Sequence, residues 1–266
     1  MQRVFIRDRR DWACRLFLGV ALALGGAGPV LAAPEEVQVY LNDINPVGAF
    51  GLDLHVNEVP AGDPAPDHVG GESSVGRYRF TPEWSYSITS DIELGAYMPL
   101  TTLDSQGTFR VDGYKFRIKW LPQHPQTGFY YGVNDELGYE DKHLNQNPWN
   151  NEVKLIGGWQ DARWLVGGNV NFDWALKGPA ITAPDVELDL KLGWKFSKES
   201  MVGIETYNGA GSTKAFGRFS SSDQATYLAY DTALGRWDLN FGVGKGYGAN
   251  ADHLILKMII GFPIGR

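Results

Sequence analysis

Apolar and polar side chains alternate without interruption from residue 186 to residue 196. Every even position of this stretch is apolar, and the odd positions carry Glu, Asp, Lys, Gly and Lys. The stretch 164–177 repeats the pattern, with Trp164, Val166 and Phe172 on one face. Successive side chains of a β-strand point to opposite faces, so each stretch predicts a strand with one apolar and one charged face. A chain of many such strands is typical of a barrel in an outer membrane, apolar outside and polar inside.

The first 32 residues have the three parts of a secretory signal peptide. Five arginines lie within 1–15, an apolar run follows at 16–24, and small residues lead to Ala32. We predict cleavage after Ala32, because a cut one residue later would leave Pro34 at the first mature position. A retained transmembrane helix is the alternative, but the apolar run is shorter than the roughly 20 residues that span a bilayer. The sequence therefore predicts a protein exported to the outer membrane of a Gram-negative cell.

Composition narrows the chemistry that the mature chain can perform. Cys14 is the only cysteine and lies in the predicted signal peptide, so we expect no disulfide, no thiolate chemistry and no cofactor. A zinc site would need His and carboxylate ligands alone, and we predict no metal site. The formal net charge of −7 disfavours nucleic acid as a partner. No segment after the signal has 18 consecutive apolar residues, so no transmembrane helix is predicted.

The rest of the chain is predicted to form an all-β, membrane-spanning, antiparallel up-and-down barrel of about 12 strands. The predicted strands are 48–59, 76–88, 92–103, 108–121, 128–140, 149–160, 163–177, 185–196, 201–208, 224–233, 236–246 and 253–263. Short turns and longer polar links mostly alternate between them, as periplasmic turns and external loops do in such barrels. An even strand number places both chain ends in the periplasm. We therefore assign 33–47 to a periplasmic N-terminal segment and 48–266 to the barrel.

Aromatic residues fall near the ends of several predicted strands, as at Trp120, Trp159 and Trp237. Trp and Tyr favour the two membrane interfaces, where an amphipathic ring meets both lipid and water. Outer-membrane lipid is therefore the expected partner of the outward face. A soluble β-protein is the alternative, but it would need a second layer to cover this apolar face, and no segment of the chain resembles one.

The polar face is predicted to line the lumen. The candidate lining residues, collected by their parity along each strand, are Asp53, His55, Glu83, Glu93, Lys115, Arg117, Lys119, Asn134, Glu136, Glu152, Lys154, Asn169, Asn171, Asp173, Glu187, Asp189, Lys191, Asp238, Asn240 and Lys257. Such charges are costly in lipid but can pair across strands in a narrow lumen.

A basic stripe crosses this lining on one strand, formed by Lys115, Arg117 and Lys119. We expect four carboxylates on nearby strands to face the stripe, namely Glu83, Glu93, Glu136 and Glu152. Two interpretations stay open: a salt-bridged network that fills a closed barrel, and a selective pore with a transverse field. The pair formed by Asp53 and His55 could bind a metal, although a polar contact is the commoner role for such a pair.

A lipid-modifying enzyme is the third interpretation. Nucleophilic catalysis needs a Ser within hydrogen-bond reach of a His that a further polar group orients. His143 has no Ser nearby in sequence, and His68 lies near Ser73 and Ser74 only within a loop rich in Pro, Gly and Asp. Gly-x-Ser-x-Gly, phosphate-loop and His-Glu-x-x-His motifs are absent from the sequence. We therefore predict that the protein is not an enzyme.

Four short motifs resemble an uncharacterised family of proteobacterial outer-membrane proteins. They occupy 131–138 (YGVNDELG), 147–152 (NPWNNE), 169–173 (NVNFD) and 205–209 (ETYNG). The family is similar to the outer-membrane proteins assigned to phenol degradation by the meta pathway, and more loosely to channels for aromatic compounds.

The resemblance implies an outer-membrane β-barrel that passes small hydrophobic or aromatic solutes, and it supplies no catalytic residues. Many outer-membrane barrels end in an aromatic residue that the barrel-assembly machinery reads, whereas this chain ends in Ile-Gly-Arg. We expect Phe262 to take that part, with the assembly machinery as a partner.

Overall fold

The computed structural model describes residues 36–66, 68–179, 181, 183–217, 224–247 and 251–264. These residues contain twelve β-strands. In chain order they are β1 (Phe50–Ala61), β2 (Tyr78–Ser87), β3 (Ile92–Leu103), β4 (Phe109–Gln123), β5 (Gly128–Glu140), β6 (Trp149–Gln160), β7 (Trp164–Lys177), β8 (Asp185–Lys195), β9 (Ser200–Ser212), β10 (Gln224–Leu234), β11 (Trp237–Gly246) and β12 (Leu254–Ile264). Each corresponds to one predicted strand, although β9 continues to Ser212, past the predicted end at residue 208.

The twelve strands form one closed sheet. Each strand pairs antiparallel with the next along the chain, and β1 pairs with β12 to close the barrel. In the closing pair Leu52 lies opposite Phe262, and Leu54 lies opposite Ile260. Closure leaves no strand edge unpaired, which hydrocarbon requires because it offers no hydrogen-bond partner. The predicted closed antiparallel barrel is therefore confirmed.

The two faces of the sheet have the predicted parity. In β8, Leu192 and Trp194 are exposed on the outer face, whereas Asp189 and Lys191 are buried inside the barrel. Trp164 at the start of β7 is exposed in the same way. The outer face is thus mostly apolar, and most of the charge within the strands points into the lumen.

The connections divide the barrel into two ends. The short-turn end carries the connections 88–91, 124–127, 161–163, 196–199 and 235–236. The long-loop end carries the connections 62–77, 104–108, 141–148, 178–184, 213–223 and 247–253. β1 begins and β12 ends at the short-turn end, so the first and last strands of the wall start and finish on that side.

Residues 36–45, named here the lumen segment, lie inside the barrel. Val37 packs against the buried Val59 and Ile255, which lie near the long-loop ends of β1 and β12. At the other end of the segment, the amide of Asn45 binds Ser85, near the short-turn end of β2. The segment therefore crosses the lumen from the long-loop end to the short-turn end before β1 begins.

A tight turn joins the lumen segment to β1. Ala49 donates a backbone hydrogen bond to Pro46, and Gly48 has a φ of 77°, a conformation that glycine adopts at little cost.

The position of the lumen segment inside the barrel differs from the periplasmic location expected for 33–47. Buried side chains of the wall offer residues 36–45 hydrogen bonds and apolar contacts there. Residues 33–35 and the predicted signal peptide lie outside the described residues.

No α-helix that is long and apolar enough to cross a membrane occurs among the described residues.

Candidate functional site

Most of the predicted lining residues are buried inside the barrel. Thirteen of the twenty are almost fully buried: His55, Glu83, Glu93, Arg117, Lys119, Asn134, Glu136, Lys154, Asn169, Asn171, Asp189, Lys191 and Lys257. Five are partly exposed: Asp53, Lys115, Glu152, Glu187 and Asn240. Asp173 and Asp238 are exposed because they lie toward the ends of β7 and β11, where the lumen opens to water.

The basic stripe pairs with two of the four carboxylates expected to face it. Arg117 binds Glu83 through Nε at 2.6 Å and Glu93 through a terminal nitrogen at 2.9 Å. Lys119 Nζ lies 3.0 Å from the same Glu93 carboxylate. His55 Nε2 lies 3.1 Å from Glu83, so this histidine contacts Glu83 and not Asp53, the partner considered in the sequence. The result is a compact ion-pair network on the β1–β4 wall, named here the first network.

The other two carboxylates have different partners. Glu136 accepts hydrogen bonds from Asn134 at 2.7 Å and from the Tyr40 hydroxyl at 3.1 Å. Glu152 pairs with Lys154 at 3.0 Å on its own strand. Arg117 and Lys119 of the stripe therefore pair with the carboxylates of β2 and β3.

A second network lies on the β8–β12 wall. Lys191 pairs with Glu205 at 3.0 Å and with Asp231 at 2.9 Å, and Lys257 also binds Glu205. The Asn240 amide donates to Asp231 at 2.8 Å. The two networks lie on different walls of the barrel, and the lumen segment contacts both of them.

Polar side chains of the wall hold the backbone of the lumen segment. The Asn169 amide makes two bonds with Tyr40, accepting from the backbone N–H at 2.7 Å and donating to the backbone carbonyl at 2.9 Å. Glu93 accepts from the backbone N–H of Asn45 at 3.0 Å, and Lys257 donates to the carbonyl of Val37 at 3.0 Å. The segment is thus attached near both ends and in the middle.

The Tyr40 side chain links the segment to the cations of the wall. Its hydroxyl contacts the buried Tyr97 hydroxyl as well as Glu136. Its ring lies 4.8 Å from Lys154 Nζ and 5.7 Å from Lys119 Nζ, measured to the ring centroid. Cations at these distances are attracted by the face of an aromatic ring. One side chain therefore contacts carboxylate, phenol and ammonium groups from several strands.

Apolar contacts fix the short-turn half of the lumen segment. Leu41 and Ile44 pack against a buried cluster that contains Leu121, Tyr130 and Ile156. Leu41 also lies over Gly167, where an added Cβ would collide with the leucine side chain. The wall therefore has a site shaped for this segment.

A cavity of about 580 Å³ remains beside the lumen segment, and residues of both the first and the second network line it. Lys198 and Glu199 of the turn between β8 and β9 lie at its short-turn side, and the second network lies deeper inside. Apolar residues of the segment also line it, namely Val39, Leu41 and Ile44. The cavity thus has a charged wall and an apolar wall.

Solved structures with this architecture are outer-membrane barrels. The chain superposes on the KdgM porin with a TM-score of 0.53 and 10% identity, over 81% of this chain and 99% of the porin. The COG4313 outer membrane channel from Pseudomonas putida F1 gives a TM-score of 0.57 and 11% identity, over 85% and 99%. The NanC porin gives 0.53 and 8%, over 81% and 100%.

The chain has the fold of outer-membrane porin-like barrels. Identities this low establish the fold alone. The sequence matches no protein-family model and no curated protein. The resemblance to proteins of phenol degradation therefore stays an expectation.

Besides the two networks, a cluster of polar side chains lies at the long-loop end of the barrel. His143 contacts Asp141 through Nδ1 at 2.7 Å and Asp112 through Nε2 at 3.1 Å. The hydrogen bond from the His143 ring lowers the pKa of the Asp141 carboxyl, which lies beyond the end of β5. Within the described ranges, no group of three or more His, Cys, Asp or Glu side chains is arranged to hold a metal.

Sequence reasoning missed three parts of this site. Val202 and Ile204 of β9 are outward, so Glu205, the residue after Ile204, points into the lumen. Its position along the strand could therefore have placed it among the lining residues. Asp231 on β10 was omitted in the same way. Tyr40 had no comparable signal, because the residues that hold it are distant in sequence.

Proposed function

We propose that this protein is a passive channel of the outer membrane that admits small solutes. The cavity of about 580 Å³ beside the lumen segment carries the proposal. Pockets that accept small molecules typically measure about 300–1,000 Å³. A barrel filled only for stability would have its interior packed on every side. In this barrel the lumen segment packs against one part of the wall, and a cavity remains beside it.

The lumen segment sets the bore of the proposed channel. It packs against Val59 and Ile255 toward the long-loop end, and Lys257 binds both the segment and Glu205 there. The bore is therefore narrowest near the second network. We infer a small conductance for the intact chain, and a larger one when the segment is displaced.

The lining favours solutes that have both an apolar body and a polar group. Leu41 and Ile44 supply an apolar surface, and Lys191 lies in the charged wall. A small aromatic molecule with a hydroxyl or carboxyl group matches both surfaces. This solute class agrees with the resemblance to proteins of phenol degradation, and it is part of the proposal.

A closed structural barrel is the second candidate. The attachment of the lumen segment at Val37, Tyr40 and Asn45 favours it, because a segment bound at three places blocks much of the lumen. The conductance experiment below separates a closed barrel from a channel.

A lipid-modifying enzyme is not proposed. In the described part of the chain, no Ser hydroxyl is hydrogen-bonded to a His ring, and the rings of His55 and His143 contact carboxylates instead. His68 binds the backbone carbonyl of Lys142. A nucleophile activated by a base has no counterpart among these contacts.

Location and processing belong to the same proposal. We propose cleavage after Ala32, insertion of the barrel by the assembly machinery, and contact of the outer face with outer-membrane lipid. N-terminal sequencing of the purified protein should begin at Ala33, and the protein should fractionate with the outer membrane. Recovery as a soluble periplasmic protein without detergent would contradict this.

The direct test fills the cavity and measures single-channel conductance in a planar bilayer. Ala233 points into the barrel near the short-turn end of β10 and lines the cavity, whereas the next residue, Leu234, is exposed. Ala233→Trp should lower the conductance severalfold, because the indole occupies the passage. Leu234→Trp is the matched control and should conduct like the parent.

Two outcomes would contradict the channel. Absence of conductance from the folded parent protein and from a variant lacking the lumen segment would identify a closed barrel. Equal conductance of the Ala233→Trp and Leu234→Trp variants would show that current does not pass through this cavity.

A further inference from the structure

A carboxyl group lies among apolar residues on the outer face of the barrel, at Asp135 of β5. The outward positions of β5 near its centre are Tyr131, Val133, Asp135, Leu137 and Tyr139, and the alternate positions are buried. Asp135 is exposed. Glu58 and Lys245 are also charged and outward, but they lie toward the long-loop ends of β1 and β11, whereas Asp135 lies near the centre of β5.

Asp135 lies at the middle of the membrane-spanning height. Tyr131 lies on the short-turn side of it, and Tyr139 makes an edge-to-face contact with Trp149 on the long-loop side, with ring centroids 5.3 Å apart. Its partners across the sheet are Ile118 on β4 and Val153 on β6, both apolar. Aromatic residues mark the two membrane interfaces, so a residue midway between them faces hydrocarbon.

Asn151 on β6 accompanies Asp135. Its amide donates to one carboxyl oxygen of Asp135 at 2.9 Å and also to the backbone carbonyl of Glu136. Both donors of the amide are then used. The second carboxyl oxygen of Asp135 and the side-chain oxygen of Asn151 have no further hydrogen bond among the described residues. Asp135 and Asn151 lie within two of the four motifs noted in the sequence, and the proposed channel function uses neither residue.

Lipid is a poor environment for this pair. A polar group without a partner in hydrocarbon costs several kcal/mol by general estimates, and polar residues on the lipid face typically mark a contact between membrane segments. The pair has no contact with the lumen, because Asp135 faces away from it. A role in solute passage therefore does not account for it.

We propose that this face of β5 and β6 docks against the same face of a second copy of the chain. The pair is self-complementary about a two-fold axis along the membrane normal, which brings groups at equal depth together. A hydrogen bond between the copies needs a carboxyl O–H as its donor, because both donors of the Asn151 amide are already used. Asp135 of each copy then donates to the free Asn151 side-chain oxygen of the other. The apolar Val133, Leu137 and Val153 surround the two bonds and exclude lipid.

Cysteine cross-linking in intact outer membranes tests this interface. Cys14 is the only cysteine of the sequence and lies in the predicted signal peptide, so a new cysteine can report alone. Val153→Cys, placed beside Asp135, should form a cross-linked species of twice the monomer mass on oxidation. Leu190→Cys, on the outer face of β8, is the control and should stay monomeric.

Two further variants separate a specific contact from random collision. Adding Asp135→Leu to Val153→Cys should reduce the cross-linked fraction at least fivefold while the barrel still folds, because leucine suits the lipid face. Adding Asp135→Asn should retain it, because an amide can also donate to Asn151 of the other copy. Heat-dependent migration on a gel reports folding in each case.

Three results would overturn the proposal. They are a Val153→Cys protein that remains monomeric, equal cross-linking with Asp135→Leu, and a cross-linked product whose mass identifies a different protein.

Discussion

The barrel wall and the lumen segment are held in place by different forces. Backbone hydrogen bonds join every strand to two neighbours, and no strand of the wall depends on the segment for its pairing. The lumen segment is not a strand of that sheet. Asn169, Glu93 and Lys257 hold its backbone instead, through side chains that belong to the wall.

This difference separates the stability of the wall from the position of the lumen segment. Loss of a few side-chain contacts can free the segment, whereas opening the wall requires breaking a continuous ladder of backbone bonds. We therefore expect the wall to persist in a state in which the segment has left the lumen. The following predictions test that separation, from the largest expected effect to the smallest.

The first prediction concerns the wall alone. Leu190 lies near the middle of β8 on the outer face, between the buried Asp189 and Lys191. Leu190→Arg should lower the free energy of unfolding by about 2–4 kcal/mol, because a cation at mid-membrane depth loses its hydration. Denaturant titration in lipid vesicles measures this change. Leu190→Met is the control, and equal stability of the two variants would show that this face does not contact lipid.

The second prediction concerns the segment alone. Asn169→Leu removes both side-chain bonds to the Tyr40 backbone and leaves a buried N–H and C=O unpaired, which typically costs about 1–3 kcal/mol. A cysteine introduced at the buried Val39 should then react with a water-soluble maleimide about tenfold faster or more.

Asn171→Leu provides the matched control for this change. Asn171 is also buried on β7, but its amide binds Asp189 on the wall at 2.7 Å. Its loss should leave the reaction rate of the Val39→Cys protein nearly unchanged. Equal acceleration by the two substitutions would show that the segment is not held specifically at Asn169.

The third prediction concerns the charge of the lumen. Replacing Lys115, Arg117 and Lys119 with Gln should shift ion selectivity toward cations, because Glu83 and Glu93 then lose their contacts with Arg117 and Lys119. Reversal potentials in a salt gradient measure the shift. Lys142→Gln, in the long-loop connection 141–148, is the control. An unchanged reversal potential in a conducting triple variant would reject this wall as part of the passage.

The fourth prediction concerns a contact that belongs to neither the wall nor the segment. The pKa of Asp141 is lowered by its hydrogen bond from His143. A lowered carboxyl pKa stabilises the folded loop above the unfolded value of about 3.9, and this contribution is lost as the pH falls through the folded value. The effect should stay below about 1 kcal/mol because the Asp141 side chain is half exposed.

Comparison of the parent protein with Asp141→Asn by hydrogen exchange of the 141–148 loop should show this difference at pH 7 and lose it as the pH falls through the lowered pKa of Asp141. A difference of the same size at both pH values would exclude the ionised Asp141 as its cause.

The wall could be predicted from sequence because apolar and polar residues alternate along its strands. Alternation in 186–196 places Leu190 outside and Lys191 inside whatever the neighbouring strands contain. Closure then follows because a sheet in lipid cannot leave a strand edge unpaired. The same rule predicted the burial of Arg117 and Glu83, although their exact pairing depends on register.

The lumen segment could not be predicted in this way. Tyr40 is 129 residues from Asn169 along the chain, and no local pattern connects them. Val37 and Val39 suggest only a short apolar run. The space that accepts the segment is created by the wall, through features such as Gly167 beneath Leu41. That space exists only after closure, so strand patterns alone do not reveal it.

The measurement that tests the central claim most directly compares single-channel conductance with and without the lumen segment. The intact chain and a chain lacking residues 36–45 would be recorded in the same planar bilayer, after heat-dependent migration on a gel shows that both barrels are folded. The deletion should raise the conductance severalfold, because the wall remains while the lumen is vacated. Equal conductance of the two folded proteins would contradict the account, since the segment would then not limit passage.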